Sequence, residues 1–232
     1  MELSIIIPIY NEQATILQLL DKVVRAELPQ KMGKEIIIID DFSIDGTRDL
    51  LKQLGDKYKI IYHDKNCGKG RAIKTGLQVV TGDIIIIQDA DLEYNPNEYA
   101  KLLQPILDGK ADVVYGSRFI GGKQRRVLFY WHSIGNKIVT NFSNMLTNLN
   151  LTDMETGYKL FRKEVIESFK DRVSAKRFGI EPELTALISK GKWRIYEVGI
   201  SYNGRTYEEG KKISWKDGLA AIWHIIKFNL RR

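Results

Sequence analysis

The sequence predicts an α/β protein with a mostly parallel central sheet flanked by helices, and three observations lead there. Short β-branched runs alternate with helical patterns through the first half of the chain. Apolar residues in those runs occupy consecutive positions, as strands buried on both faces require. Polar residues collect where each run ends, which is where open α/β sheets place their ligands.

The elements follow in order. LSIIIPI (3–9) reads as the first strand, and Asn11 can cap a helix carrying Ile16, Leu19, Leu20 and Val23. KEIIIID (34–40) is the second strand, followed by SIDGT ahead of a helix with Leu50, Leu51 and Leu54. YKIIYH (58–63), GDIIIIQD (82–89) and ADVVYGS (111–117) complete the series. The segments between the runs are long enough for crossover helices. Their ends, Pro8 to Glu12, Asp40 to Ser43, Asn66 to Gly70, Asp89 to Glu93 and Gly116 to Arg118, share one edge of the expected sheet.

Beyond residue 120 the pattern becomes helical. From 127 to 149 apolar residues recur at 127, 131, 134, 138, 142, 145 and 149, with Ser133, Asn136, Thr140, Ser143 and Thr147 on the other side. Such a helix can cover the sheet, but its opening KQRRVLFYWH sets cations beside aromatics, a composition suited to a lipid–water interface. The stretch 215–230 is a second amphipathic helix, and packing and membrane contact both remain open for it. With no repeat, low-complexity tract or linker, residues 1–232 are expected to form one domain.

The totals exclude several classes. A composition of 44% hydrophobic and 28% charged residues is neither disordered nor fibrous. The net charge of +7 suggests an anionic partner, yet the chain holds no nucleic-acid motif, so nucleic acid is not expected. Cys67 is the sole cysteine, so there is no internal disulfide and no zinc-type Cys/His spacing. The start MELSIIIPIYNE does not resemble a signal peptide, and no run approaches the roughly 18 apolar residues of a membrane span. A cytoplasmic protein, peripheral to a membrane if it meets one, is the expectation.

The chemistry centres on QDADLEYNP (88–96), where Asp89, Asp91 and Glu93 stand at every second position. Asp-x-Asp at a strand end can surround one hard divalent cation; alternatively one carboxylate caps the following helix and the others face water. The set PIYNE (8–12), IDDFSIDGT (39–47), NCGKGRA (66–72) and QDADLEYNP, in that order and at those distances, resembles the family 2 glycosyltransferases, whose nucleotide-sugar-binding fold is GT-A. YGSRF (115–119), LTDMETGYKLFRKEV (151–165) and EPELTALISKGKWRIYEVGISYNGRTYEEGKKI (181–213) resemble the branch with dolichol-phosphate mannose synthase and polyprenyl-phosphate glycosyltransferases.

That resemblance implies roles for particular residues. Pro8, Tyr10, Glu12, Asp40, Asp41, Lys69, Asp89 and Ala90 are expected around the nucleotide-sugar, and Asp89, Asp91 and Glu93 around Mg²⁺ or Mn²⁺. At Glu93 the chain departs from the mannose synthases, which often carry Gln or another polar residue. From the residues alone, Pro8 can simply end a strand, Asp41 cap a turn and Lys69 face water. Arg118, Arg205 and Lys211 are expected around the donor and acceptor phosphates, and Asp91 is the fourth catalytic residue, acting through the cation it holds.

The implied reaction is inverting transfer of a hexose, mannose favoured, from a GDP-mannose or UDP-glucose type donor to polyprenyl or dolichyl phosphate. Glucose or another UDP-sugar to the same lipid, a saccharide hydroxyl acceptor, and a nucleotide-sugar-binding scaffold are the alternatives. A phosphate monoester is already anionic, so no dedicated base is expected; Asp153 and Glu183 are the carboxylates to consider if a hydroxyl attacks. Some relatives carry transmembrane helices after the catalytic domain; here the two amphipathic helices or a membrane-protein partner are expected to supply attachment.

Overall fold

The computed structural model describes residues 1–121, 124–127, 129–177, 179–206, 208–209 and 215–230. Strands and helices alternate as β1 (Glu2–Ile9), α1 (Ile16–Arg25), β2 (Gly33–Asp40), α2 (Thr47–Gln53), β3 (Lys59–Tyr62), α3 (Lys69–Leu77), β4 (Ile84–Ile87), α4 (Tyr99–Leu107) and β5 (Val113–Ser117). The second half adds α5 (Tyr130–Thr147), β6 (Lys159–Arg162), α6 (Lys163–Phe169), α7 (Ile180–Ser189), β7 (Ile195–Gly199) and α8 (Trp215–Leu230).

The strands form one sheet in the order β3-β2-β1-β4-β6-β5-β7. Parallel pairing joins β1 to β2 and β4, β2 to β3, and β5 to β7. Among the described strands β6 alone runs antiparallel, between β4 and β5. All five strands expected from the sequence are present, and the sheet is mostly parallel with helices on both sides.

The isoleucine runs work as two-faced strands. In β4, Ile84 and Ile86 enter the core layer with Leu19, Tyr99 and Leu102, while Ile85 and Ile87 enter the opposite layer with Ile73, Leu77 and Leu184. Each is essentially fully buried, a contribution of about 2–3 kcal/mol per side chain relative to exposure. A strand clamped on both faces fixes where its last residue points, and Gln88 extends the clamp by accepting hydrogen bonds from Tyr99 Oη and Tyr158 Oη, both at 2.6 Å.

The helix expected from residue 127 starts at Tyr130. Part of its polar side turns inward together with Val139. Thr140 and Ser143 are buried, Thr140 Oγ1 accepts from Met154 N at 3.2 Å, and the Asn144 side chain brackets Leu151 through Leu151 N and O. The stripe is divided: Phe142 and Leu149 pack against the core, whereas Val127, Trp131 and Met145 are 90%, 77% and 78% exposed. α5 packs against α8, which buries Ala221, Ile225 and Phe228 and leaves Leu219, Trp223 and Leu230 exposed. Among the described residues no helix is long and apolar enough to cross a membrane.

Candidate active site

The site forms where β1, β2 and β4 end. Three non-glycine residues there, Asn11, Phe42 and Leu92, have left-handed φ of 54°, 67° and 62°. Each costs on the order of 1 kcal/mol, so the surrounding structure must impose the turns. Leu92 lies between Asp91 and Glu93, whose carboxylates both reach Arg205.

Two cations of the chain itself face the acidic motif. Lys69, at the start of α3, sits 2.7 Å from Asp89 Oδ1 and 3.0 Å from Oδ2. Arg205 spans three carboxylates, with Glu12 Oε2 at 3.6 Å, Asp91 Oδ2 at 3.4 Å and Glu93 Oε1 at 3.7 Å. Ala90 is buried between the two aspartates. Glu12, Lys69, Asp89, Asp91, Glu93 and Arg205 therefore converge, although they come from well-separated stretches of sequence.

Glu93 has a distinct place in this group. Its Oε2 accepts from Tyr202 Oη at 2.8 Å and its Oε1 from Arg205 N at 2.8 Å, while its backbone carbonyl accepts from Asn203 N. Both side-chain oxygens are thus engaged in holding the 202–205 segment, and with it the guanidinium of Arg205.

The other expected residues are placed more variously. Pro8 is the penultimate residue of β1, and Tyr10 is exposed beside it. Asp40 is buried and accepts from Ser43 N and from Arg48 Nε at 2.7 Å. Asp41, also buried, accepts from Cys67 N and Gly68 N and lies 2.7 Å from His63 Nδ1, so it ties β2 to the loop before α3. Arg118 meets Asp153 through both carboxylate oxygens, Nε at 2.6 Å and Nη2 at 2.7 Å, with its guanidinium 5.1 Å from the Tyr202 ring centre. Glu183 accepts from Ser174 N and Oγ and from Ala175 N. Lys211 lies outside the described residues.

Sequence reasoning missed a second layer of charge. Lys159, fully buried, lies 2.5 Å from Glu181, and Glu181 Oε1 lies 3.2 Å from Lys69. Burial and then the neighbouring Glu181 push the Glu155 carboxyl up to about 7, and its Oε1 has no hydrogen-bond partner among the described residues. Gly157 packs closely on the acidic motif, since a Cβ there would lie 2.3 Å from Asp89 Oδ2 and displace that carboxylate. The LTDMETGYK stretch held the signal: Asp153, Glu155, Tyr158 and Lys159 crowd more ionisable groups together than an ordinary approach to a buried strand carries.

The residues fit a hard divalent cation. Asp91 is pushed up to about 7 by burial first and then by Asp89 and Glu93, the behaviour of a carboxylate short of positive charge. Asp89 and Asp91 are oxygen donors of the kind Mg²⁺ and Mn²⁺ prefer. A different trio, Asp41, His63 and Cys67, brings one potential ligand atom each within 4.8 Å of the others. Both His63 nitrogens and both Asp41 oxygens there already have hydrogen-bond partners, Thr75 Oγ1 being the second for His63. The trio is a clasp between loops.

An open sheet with an Asp-x-Asp motif at its carboxyl edge and basic side chains facing it defines the GT-A class of glycosyltransferases. The profile described as "Glycosyl transferase family 2" matches residues 4–169, and the chain belongs to that family. It is 32% identical over 98% of its length to a dolichol-phosphate mannosyltransferase of Pyrococcus furiosus, spanning 64% of that protein. A UDP-N-acetylglucosamine–dolichyl-phosphate N-acetylglucosaminyltransferase of Methanococcus voltae is 30% identical over 84% of the chain and 83% of its own length. Among solved structures, glucosyl-3-phosphoglycerate synthase of Mycobacterium tuberculosis with Mn²⁺, uridine diphosphate and product superposes with a TM-score of 0.70 at 19% identity, covering 99% of this chain and 78% of that one.

Proposed function

We propose that the protein transfers a hexose, mannose favoured, from a nucleotide-sugar to polyprenyl or dolichyl phosphate, inverting the anomeric carbon. The observation that carries this reading is how the site's carboxylates are used. Asp153 is bound by Arg118 through both oxygens and Glu183 is filled by the 174–175 segment, so neither is presented as a base. Cations, by contrast, line the site. Such an arrangement suits an acceptor that is already an anion, with catalysis coming from positioning and charge stabilisation.

Asp89 and Asp91 would hold Mg²⁺ or Mn²⁺, which when bound neutralises the departing nucleoside diphosphate. Arg205 and Lys69 would face phosphate oxygens, and Arg118, held to both oxygens of Asp153, keeps that carboxylate from serving as a base. Glu93 serves as the anchor of Arg205 and not as a third metal ligand. The lipid-phosphate names of the Pyrococcus and Methanococcus relatives support the acceptor class, and their different sugars leave the donor to experiment. The outward-facing Trp131, Met145, Trp223 and Leu230 support contact with a membrane surface, where a polyprenyl chain resides.

Incubation with labelled GDP-mannose or UDP-glucose and polyprenyl phosphate is expected to give an organic-extractable labelled lipid. No such product with any common donor would sink the proposal. A second reading, a hydroxyl acceptor, is favoured by Glu155 alone, because a carboxyl near neutral pKa is suited to proton transfer. Glu155→Gln with normal donor binding and no turnover would select it.

A further inference from the structure

The two layers of charge are joined by one residue. Glu181, in the first turn of α7, stands between Lys159 and Lys69, and Lys69 in turn holds Asp89. Its two oxygens are not used alike. Oε2 accepts from Lys159, whereas Oε1, buried and 3.2 Å from the Lys69 ammonium, makes no hydrogen bond among the described residues. Buried carboxylate oxygens are normally filled. Here an acceptor is in ion-pair contact with a cation whose hydrogen bond goes to Asp89.

We infer that Glu181 is a positioning residue that receives the Lys69 ammonium when Asp89 is taken by a divalent cation. The inference rests on the reading of Asp89 and Asp91 as the metal-holding pair. Without metal, Lys69 is the counterion of Asp89, and cation binding must displace it. An ammonium pushed off its carboxylate into a largely buried site would be a costly unpaired charge. Glu181 Oε1 removes that cost over a short movement, since Lys69 already lies within ion-pair range of both carboxylates. Lys159 keeps Glu181 aimed: it is fully buried, is bound also to the Thr156 carbonyl and lies 5.1 Å from the Tyr115 ring centre. Lys69 is thereby left between the acidic motif and α7, ready to face diphosphate oxygens.

The test is Mn²⁺ binding without nucleotide, read from the electron paramagnetic resonance signal of free Mn²⁺. Lys69→Met removes the competing ammonium and is expected to tighten Mn²⁺ about tenfold, the low end of what one opposite charge within a few ångströms does to a carboxylate. Glu181→Gln removes the receiving carboxylate and is expected to weaken Mn²⁺ severalfold, with no further effect once Lys69 is Met. Because Glu181→Gln orphans Lys159, the pair E181Q/K159M is measured beside it; Lys69→Met, with its fold checked by circular dichroism, tests the idea independently. A purely structural role for Glu181 predicts weaker binding in every variant. Unchanged or weaker Mn²⁺ binding in Lys69→Met, or an equal Glu181→Gln effect with and without Lys69, overturns the hand-over. Asp91→Asn separates the layers of the reading: if it leaves Mn²⁺ binding intact, the metal assignment fails and the hand-over with it, whereas lost binding there beside an unresponsive Lys69→Met refutes the hand-over alone.

Discussion

Glu155→Gln is expected to make the protein more stable at pH 8 and no more stable at pH 4. The carboxyl is raised from 4.5 to about 7 by burial and by Glu181. Because the folded value lies above the unfolded one, the ionised form is penalised by folding. The penalty is complete above pH 7, shrinks as pH falls and is gone below the unfolded value. A rise of that size corresponds to about 3 kcal/mol. The amide inherits the unpartnered Oε1 position, so the gain is set by the lost charge and not by a new hydrogen bond. For a chain of this length that is about 6–12 °C in melting temperature, read by thermal unfolding at both pH values. A gain equal at both pH values, or none at pH 8, refutes the reasoning. Lipid-phosphate transfer that survives in the same variant supports the reading without a base.

Further outcomes follow from the same geometry. Arg118→Met leaves Asp153 buried and unpaired and is expected to cost about 3–5 kcal/mol in denaturant unfolding, while Asp153→Asn in that background recovers part of it. Asp91→Ala is expected to abolish metal-dependent donor binding by calorimetry with the fold retained by circular dichroism. Trp131→Ser with Trp223→Ser removes two exposed indoles and should lower co-sedimentation with anionic liposomes severalfold; unchanged binding counts against this face as the membrane contact. Gly70→Ala would set a Cβ 2.5 Å from the Ala175 carbonyl, so a melting temperature well below that of the parent protein is expected.

The first half of the fold was readable because its strands are buried on both faces: consecutive isoleucines in β1, β2 and β4 suit a doubly covered strand and little else. β6 was not readable, since KLFR is short and brackets its two apolar residues with Lys159 and Arg162. Both cations find partners far away in sequence, Glu181 for one and the Ile106 and Ala111 carbonyls for the other. Periodicity reports a residue's own polarity and not its eventual partner. The same limit applies to the site. Asp89, Asp91 and Arg205 could be singled out by motif and charge, whereas Glu181 and Glu155 became visible only when pairing across the sheet brought them together. α5 teaches the converse lesson: its apolar stripe was legible, but which of its members face outward depended on Thr140 and Asn144 meeting the 151–154 segment.

The reversed strand has a consequence for how the chain assembles. β4 can pair with β1 once residue 87 exists, but its other edge waits for β6, which begins only at Lys159. Until then four isoleucines flank an open row of backbone donors and acceptors, a template for pairing with another chain. The slow step in acquiring the native sheet is therefore expected to be insertion of β6 between β4 and β5, and the period of aggregation risk during synthesis ends when that strand docks.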